Sequence, residues 1–431
     1  MFNHNSSTRS PVSLGRPCSV PIGFVSSSFL FTDYHFRLLT EVCISPSLSA
    51  LKELITPTRT DRRVTVATAA EYGLGPNTYP RGWFIVAESR EIDNGPIGVT
   101  FFGRDFALYR GESGNPVMLD AYCKHMGTHL AKNTSAMLIV AEVGGKHVEG
   151  DSIRCPYHGW RYNSEGHVDD IPYHDGPCPK SASIRSYPVV DNMGCIMMWF
   201  DEDGADPDYP PPYLEQWDEG SWVHWDLDHL PELDIHPQEV LDNMCDNRHL
   251  GPTHGAPCEY FENEMRDHVL IQRQGGAMTL YGGAMLYTTT WYTGPGVLLS
   301  KQVWGDATQF EMIANTPVGD GRIKAWHGCL VKSATGTVTP EDKEMAKAIQ
   351  AGALEAFSKD FEIWQHKSPA IKPMAMKTEG PFLKGRKWYS QFYAARDDIR
   401  AAQETVNGTY HVPGVQTPAE RDHAIDDGLP I

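Results

Sequence analysis

Two short motifs each pair one cysteine with one histidine. Cys123 and His125 are separated by one residue, and Cys155 and His158 by two. Two thiolates and two imidazoles can hold a [2Fe–2S] cluster in which the histidines bind one of the two irons. A zinc site and two unconnected structural pairs are the alternatives, but zinc fingers usually pair cysteine with cysteine and histidine with histidine. The spacing therefore favours an iron–sulfur cluster.

A second group of candidate ligands lies further along the chain. His249 and His254 are five residues apart, and that spacing does not place two side chains on one face of an unbroken helix. Gly251 and Pro252 lie between them, so we expect the helix to end or kink there and re-aim His254. Taken alone, the two histidines are better explained as core or surface residues than as metal ligands. Non-haem Fe(II) sites use two histidines and one carboxylate, and leave other positions open.

A long helix predicted from Pro340 to about Lys367 supplies the carboxylate. Thr339 precedes it as a predicted N-cap. Asp360 falls on an apolar stripe of this helix, whose other members are Ile349, Ala353, Ala356, Phe357 and Trp364. A carboxylate buried there needs a cationic partner, which is either a metal ion or a core arginine or lysine. Glu362 points about 200° away on the helix and is expected to be solvated.

Composition limits the classes of protein. The 431 residues suggest two to three domains, and 41% hydrophobic with 21% charged residues is typical of a globular protein. A net charge of −18 argues against a nucleic-acid partner, and no apolar run approaches the ~20 residues of a membrane span. The nine scattered cysteines do not form a secreted disulfide framework. They favour the reducing cytoplasm.

The pattern along the chain predicts four segments. Residues 1–75 are interpreted as an N-terminal extension, either disordered or an over-extended start of the reading frame. Residues 76–205 alternate short strand-forming runs with turns, as in a small all-β domain. A Pro/Asp-rich linker then opens the segment 206–412, in which strands, a hairpin through residues 310–332 and the long helix follow one another. Residues 413–431 are predicted to be a surface tail.

These motifs resemble those of the Rieske non-haem iron oxygenases, in their oxygenase (alpha) component, from about residue 76 onward. The family carries a Cys-x-His and Cys-x-x-His pair, followed by an acid-Asn-x-x-Asp-x-x-His-x4-His pattern that this chain matches from Asp242 to His254. The 29 residues between His125 and Cys155 exceed the usual spacing, and we expect the excess at 135–150 to form an inserted hairpin. The resemblance implies an α+β fold: an all-β Rieske [2Fe–2S] domain followed by a helix-grip catalytic domain.

The resemblance also implies roles for these residues. Cys123, His125, Cys155 and His158 would hold the cluster, which passes electrons to one Fe(II) bound by His249, His254 and Asp360, where O₂ is activated. Asp246 would link an iron-site histidine to a cluster histidine of the neighbouring subunit, and this requires a homo-oligomer, a ring of three. A surface aspartate is the alternative for Asp246.

Electrons must come from elsewhere, because the sequence carries no GxGxxG motif that opens a βαβ unit. The expected partner is a separate flavin and iron–sulfur reductase, with or without a ferredoxin. NAD(P)H would then be used only indirectly, through that reductase.

The substrate is indicated by two runs, Asp360-x-x-Ile363-Trp364 and the segment 386–393. Both resemble the branch of 3-ketosteroid hydroxylases and sterol desaturases, which implies a monooxygenase acting on a large apolar ring system, a steroid. We expect the pocket between sheet and long helix, with five candidate wall residues: Met285, Tyr287, Trp291, Met312 and Trp326.

Three other functions stay open at this point. A ring-hydroxylating dioxygenase or O-demethylase acting on an aromatic compound would use the same ligands. A Rieske electron-transfer protein would have no use for His249 and His254. A zinc hydrolase could use His249, His254 and Asp360, but would leave the cluster motif unexplained.

Overall fold

The computed structural model describes residues 66–418, except 144, 257, 279–282 and 306. Most of the predicted N-terminal extension and the end of the predicted tail lie outside the described residues. A helical turn, α1 (Ala69–Tyr72), is closed at its start by a Thr68 capping box, and Ala69 packs in the main core. At least the end of the range predicted as extension is therefore part of the folded domain. In the predicted tail, Gln416 accepts a hydrogen bond of 3.0 Å from the Phe261 amide.

The first half is built from short antiparallel strands. They are β1 (Gly82–Glu88), β2 (Ile97–Phe101), β3 (Arg104–Arg110), β4 (Pro116–Asp120), β5 (Val148–Glu149), β6 (Ser152–Arg154), β7 (Arg161–Tyr162), β8 (Val168–Asp170), β9 (Ser186–Tyr187), β10 (Val189–Asn192) and β11 (Cys195–Phe200). They form three sheets, ordered β1-β11-β10, β2-β3-β4-β9 and β5-β6-β7-β8. The predicted all-β character of this half is confirmed.

The segment expected to form an inserted hairpin is instead a helical turn, α2 (Met137–Val140). None of its four residues is buried, and Met137 and Val140 are 62% and 61% exposed. Four consecutive apolar residues lack the alternation that lets a strand bury one face. Only Val148–Glu149, at the end of the insert, pairs as a strand, with β6. The hairpin prediction was wrong for this reason.

The second half is built around one large antiparallel sheet. Its strands are β12 (Trp222–Val223), β13 (Asp228–Leu233), β14 (Tyr260–Arg266), β15 (Val269–Met278), β16 (Ala284–Thr293), β17 (Val297–Trp304), β18 (Ala307–Gly319), β19 (Arg322–Lys332) and β20 (Gly408–His411). The order is β12-β19-β18-β17-β16-β15-β14-β20, and β13 also pairs with β19. The hairpin predicted through residues 310–332 is confirmed as β18 and β19, which pair at Gly319 and Arg322.

Five helices accompany this sheet: α3 (Pro237–Met244), α4 (Leu250–His254), α5 (Pro340–His366), α6 (Phe382–Ser390) and α7 (Ile399–Glu404). The predicted long helix is confirmed as α5. Its first turn is held by a capping box, in which Thr339 accepts from the Asp342 amide and the Asp342 carboxylate accepts from the Thr339 amide. No helix within the described residues is both long and apolar enough to cross a membrane.

The two faces of the large sheet are covered by different elements. On one face, Ile323 and Ala325 of β19 pack with Phe357 and Phe361 of α5. On the other face, Trp291, Leu299 and Met312 belong to a core shared with β1 and β11 of the first half. Thr316 of β18 donates a hydrogen bond of 2.6 Å to the Ile85 carbonyl across this boundary. Alternation along each strand therefore decides which side chains can face α5.

Candidate cluster and metal sites

The two Cys-His motifs form equivalent loops. The first follows β4, and the second joins β6 to β7. In each loop the cysteine amide donates to the carbonyl five residues on, and the cysteine carbonyl accepts from the glycine amide four residues on, at 2.7–2.9 Å. These glycines, Gly127 and Gly159, have φ of 71° and 77°, a left-handed conformation that favours glycine. The local sequence thus folds both motifs into the same tight turn.

The structure brings the four predicted cluster ligands together. Cys123 and Cys155 are 3% and 1% exposed. His125 is exposed, His158 is half-buried, and the centroids of their rings lie 4.7 Å apart. The thiols therefore lie inside the domain while the imidazoles lie at its surface.

The surroundings of the two sulfurs suit thiolate ligands. The amides of His125 and Met126 point at the Cys123 sulfur, and those of Tyr157 and His158 at the Cys155 sulfur. A hydrogen bond from Cys155 lowers the pKa of Cys123 to about 6, against the effect of burial. The same contact, together with burial, raises the pKa of Cys155. Amide donors of this kind stabilise the thiolates of an iron–sulfur cluster, and the site fits one.

Two aromatic residues that sequence reasoning missed touch the cluster ligands. The Tyr162 hydroxyl accepts from the Lys124 amide at 2.9 Å and lies 3.2 Å from the Cys123 sulfur. The Trp160 ring stacks on His125, with centroids 4.6 Å apart and planes 2° from parallel. The one sequence signal for Tyr162 is the alternation of side chains along β7, which turns Tyr162 inward.

Arg154 was also missed, and it holds the second loop in place. Its side chain is 6% exposed and donates a hydrogen bond of 2.7 Å to the Gly159 carbonyl. It forms ion pairs with Glu149 at 2.8 Å and Asp170 at 2.7 Å. Hydrogen bonds from Arg154 lower the pKa of Glu149 to about 2. Nothing in the local sequence around Arg154 pairs it with these partners.

The structure also brings His249, His254 and Asp360 together. One donor atom from each of them lies within 4.8 Å of the others. The Nε2 atom of His254 is 3.4 Å from Oδ2 of Asp360, and the two histidine rings are 5.3 Å apart at 79°. His249 is the N-cap of α4, His254 ends that helix, and Asp360 projects from α5. Two imidazole nitrogens and one carboxylate oxygen at this separation form a ligand set that can bind a divalent metal ion.

The helix break predicted at Gly251-Pro252 is wrong. α3 ends at Met244 with Cys245 as its cap, so the break precedes both histidines. Pro252 lies inside α4, in its first turn. A proline is tolerated there because the first amides of a helix have no carbonyl partner within it. The histidines are thus presented by a short helix that begins and ends with them.

Asp246 lies next to the group of His249, His254 and Asp360 but is not one of its three donors. Its Oδ2 is 3.6 Å from Nδ1 of His249. Its Oδ1 accepts from the Arg248 amide at 2.8 Å. Burial alone would raise the pKa of Asp246, but the His249 ring and the Arg248 amide outweigh it and lower that pKa. The carboxylate is placed to orient His249.

Asp360 is 7% exposed, and Phe357, Phe361 and Trp364 of the same helix are also buried. Among the described residues its ion pair is with His254 and not with an arginine or lysine. Glu362 is exposed, in agreement with its predicted position on the helix. A buried carboxylate facing two histidines, with no basic partner in the described part of the chain, fits a bound divalent ion.

The five candidate wall residues lie on the wrong face of the sheet. Register pairs Trp291 with Leu299 and Leu299 with Met312, and these side chains pack away from α5. Met285 and Tyr287 share the face of Trp291, and Trp326 is bonded to Thr316 in the same shared core. The prediction rests on the apolar character of these five residues, but the alternation of side chains along the strands places them on the face opposite α5.

A cleft lies instead beside the two histidines, on the face that holds α5. Its lining joins α4 and the loop after it to β15 and β16, and comprises Leu250, Ala256, Cys258, Gln274, Gly275, Gly276, Met278, Leu286 and Thr288. No sequence pattern indicates this mixture of polar and apolar side chains.

Sequence comparison matches both halves to known families. The Rieske [2Fe–2S] domain family matches residues 82–188, and the 3-ketosteroid 9alpha-hydroxylase C-terminal domain family matches residues 198–393. An oxygenase component of 3-ketosteroid-9-alpha-monooxygenase from Rhodococcus rhodochrous is 28% identical over 343 residues, covering 76% of this chain and 87% of the relative. The cholesterol 7-desaturase of Caenorhabditis elegans is 26% identical over 369 residues, covering 74% and 78%.

Structural comparison agrees at the level of the fold. NdmB of Pseudomonas putida CBB5 superposes with a TM-score of 0.59 at 17% identity, covering 81% of this chain and 98% of NdmB. Dicamba monooxygenase with non-heme iron and dicamba gives a TM-score of 0.52 at 17% identity, covering 75% and 98%. The predicted fold class, an all-β Rieske domain followed by a large antiparallel sheet with a long helix, is confirmed.

Proposed function

The chain belongs to the Rieske-type oxygenases, and from this premise we propose that it is the oxygenase component of a steroid monooxygenase. It would use O₂ and electrons from a separate reductase to hydroxylate a large, mainly apolar ring system. The match to the 3-ketosteroid 9alpha-hydroxylase C-terminal domain over residues 198–393 supports a steroid. The relatives named for 3-ketosteroids and cholesterol point the same way.

The observation that carries the proposal is the group of His249, His254 and Asp360, whose donor atoms lie within 4.8 Å of one another. A mononuclear Fe(II) ion held there would supply oxygen activation. Asp360 would contribute the negative charge, and Asp246 would fix the orientation of His249 from behind. Phe357, Phe361 and Trp364, which are buried on the same helix as Asp360, would keep water from the α5 side of the ligands.

The cluster histidines of one chain would serve the metal site of another. Asp246 has a side chain 35% exposed, so one edge of it is open to a neighbouring molecule. Exposed apolar side chains lie at both sites: Met126, Tyr157 and Tyr173 near the cluster, and Ile371, Met374 and Met376 in a segment tied to the metal loop. A hydrogen bond of 2.9 Å from Arg248 to the Thr378 carbonyl connects this segment to the residue next to His249. Exposed apolar patches of this kind mark association sites, and we place them against each other in a homotrimer.

Electrons would enter from a flavin and iron–sulfur reductase, with or without a ferredoxin, and NAD(P)H would act only there. We assign the protein to the cytoplasm. The described cysteines are all unpaired thiols, which suits a reducing compartment.

The test is turnover by the purified oxygenase with a surrogate reductase, O₂ and NADH. Androstenedione and benzoate are offered separately, and products are identified by mass spectrometry. One added oxygen atom on the steroid is the expected outcome. Oxidation of benzoate and not of the steroid would replace the proposal with an oxygenase of aromatic compounds. Metal analysis should give two cluster irons and one further iron per chain, and zinc without acid-labile sulfide would overturn the whole assignment.

A further inference from the structure

The face of the large sheet that holds α5 carries two rows of polar side chains next to the metal site. Register pairs Gln274 with Thr288, Thr288 with Gln302 and Gln302 with Gln309 in one row. The adjacent row runs through Gln272, Thr290, Ser300 and Glu311. On the opposite face, the row at the same level is Ile271, Trp291, Leu299 and Met312. At this level of the sheet, the side chains on the face that holds α5 are therefore polar, while those directly behind them are apolar.

Most of these polar groups satisfy one another. The hydroxyls of Thr290 and Ser300 are 2.8 Å apart. Gln302 donates to Glu311 at 2.5 Å and accepts from Gln309 at 2.6 Å. These contacts link the rows into a hydrogen-bonded network that has no need of a ligand.

Two groups differ from the rest. The Thr288 hydroxyl and the Gln274 side-chain carbonyl are both buried, and neither has a hydrogen-bond partner among the described residues. Thr288 is 4% exposed. Both side chains line the cleft beside the metal site, together with Leu250, Met278 and Leu286. A buried polar atom without a partner is costly, so these two indicate a missing hydrogen-bonding ligand.

We propose that Gln274 and Thr288 form a polar subsite that binds an uncharged hydroxyl group of the substrate, which donates to the Gln274 carbonyl and accepts from the Thr288 hydroxyl. The inference rests on the proposed function and adds the group by which the substrate is oriented. Leu250, Met278 and Leu286 contact the hydrocarbon part. The cleft-lining side chains of the described chain include no arginine or lysine, so a carboxylate placed there would be desolvated without a counter-charge. The subsite thus selects hydroxyl-bearing neutral rings and rejects ring carboxylates.

The experiment measures the Kd of the holoenzyme for testosterone, which carries a hydroxyl group, by isothermal titration, with androstenedione and benzoate titrated for comparison and product formation recorded in parallel. Thr288→Val removes the hydroxyl and keeps the shape, and Gln274→Leu removes the amide. Each change is expected to raise the Kd about tenfold, because one neutral hydrogen bond is lost and its partner is left unpaired. Thr288→Ser, which keeps a hydroxyl, should restore binding.

Thr290→Val is the matched control. It lies on the same strand and face, but its hydroxyl is already paired with Ser300, so its Kd should stay within twofold of the wild type. The visible spectrum of the cluster shows that each variant is folded.

Unchanged Kd values in both variants, with a wild type that still hydroxylates the steroid, would overturn the subsite alone. Binding of benzoate as tight as that of testosterone would overturn the selection against carboxylates. A wild type that neither binds nor oxidises the steroid would overturn the proposed function, and the subsite with it.

Discussion

Ligand atoms at both candidate sites are held by a second layer of side chains. Arg154 fixes the Gly159 carbonyl of the second cluster loop, Tyr162 touches the Cys123 sulfur, and Asp246 lies behind His249. Such groups set the orientation and charge of the ligands they touch. The candidate cysteines and histidines could be named from the sequence because each motif is contiguous, and Asp360 because it falls on the apolar stripe of the long helix. Arg154 and Tyr162 could not, because their contacts depend on how strands pair.

Tyr162 should tune the reduction potential of the cluster. Its oxygen accepts from the Lys124 amide, so its proton is available to the Cys123 sulfur at 3.2 Å. Hydrogen bonds to sulfur stabilise the reduced cluster, which carries more negative charge. Tyr162→Phe should therefore lower the potential, measured by redox titration of the visible spectrum. Tyr109→Phe is the control, since that hydroxyl bonds the Asp151 carbonyl in the same domain. Equal potentials in the wild type and Tyr162→Phe would contradict the role.

Asp360 should be required at the metal site. Asp360→Ala removes the only carboxylate among the three grouped donors, and we expect loss of the mononuclear iron and of turnover by about a thousandfold. The visible spectrum of the cluster should be unchanged, because the cluster is bound by other residues. Glu362→Ala, two residues on and exposed, is the control and should keep iron and activity. Retained turnover in Asp360→Ala would assign the carboxylate ligand elsewhere.

At the scale of the secondary-structure elements, one buried histidine, His327, connects three strands and one helix. His327 of β19 is fully buried. Its Nδ1 lies 2.7 Å from Asp228 of β13, and its Nε2 lies 3.0 Å from Glu311 of β18. Gln350 of α5 donates to the same Asp228 carboxylate at 3.0 Å. Three strands and the helix that carries Asp360 are thereby joined at one point.

The stability that His327 contributes should depend on pH. Burial alone would lower its pKa, but hydrogen bonds with Asp228 and Glu311 and the contact with Cys329 raise the pKa well above the usual value. A raised folded pKa means that the contribution is complete below the unfolded value of about 6.5 and is lost as pH rises through the folded pKa.

His327→Gln should lower stability by about 3 kcal/mol at pH 6, because two buried carboxylates lose their counter-charge. The difference from the wild type should shrink as the pH is raised towards 9. Thermal unfolding followed by circular dichroism across this range measures it. His229→Gln, at a mostly exposed histidine of β13, should change little. A difference that is independent of pH would show that His327 is not charged in the folded protein.

Elements with strong local sequence signals could be predicted, whereas features that depend on contacts between distant segments could not. The capping box at Thr339 and the turn at residues 319–322 were visible in the sequence, and α5 and the β18–β19 hairpin follow them. The helical turn α2 carried no periodic signal. The wall of the cleft was missed because apolar side chains were assumed to face the substrate. Trp291 and Met312 instead bury themselves against the first half of the chain.

At the scale of the whole molecule, several of the most exposed apolar residues lie close in sequence to the two candidate sites or to a segment bonded to them. Met126 and Tyr157 flank the cluster histidines, at 64% and 60% exposed. Met374 and Met376 lie two to four residues from Thr378, which is bonded to the metal loop, and are 88% and 61% exposed. A closed ring, in which each chain offers one patch and receives the other, would cover both sets without leaving an open end.

Loss of the second patch should therefore separate the subunits and stop turnover together. The double change Met374→Ser and Met376→Ser removes apolar contact area at the proposed interface, and a trimer held by it should shift to monomer in size-exclusion chromatography with light scattering. A reductase should still reduce the cluster, while hydroxylation falls at least tenfold, because the cluster has no neighbouring metal site to serve. Met374→Leu with Met376→Leu keeps the patch apolar and should keep both the trimer and the activity. A monomer with full activity would show that each chain supplies its own metal site, and that Asp246 acts only on His249.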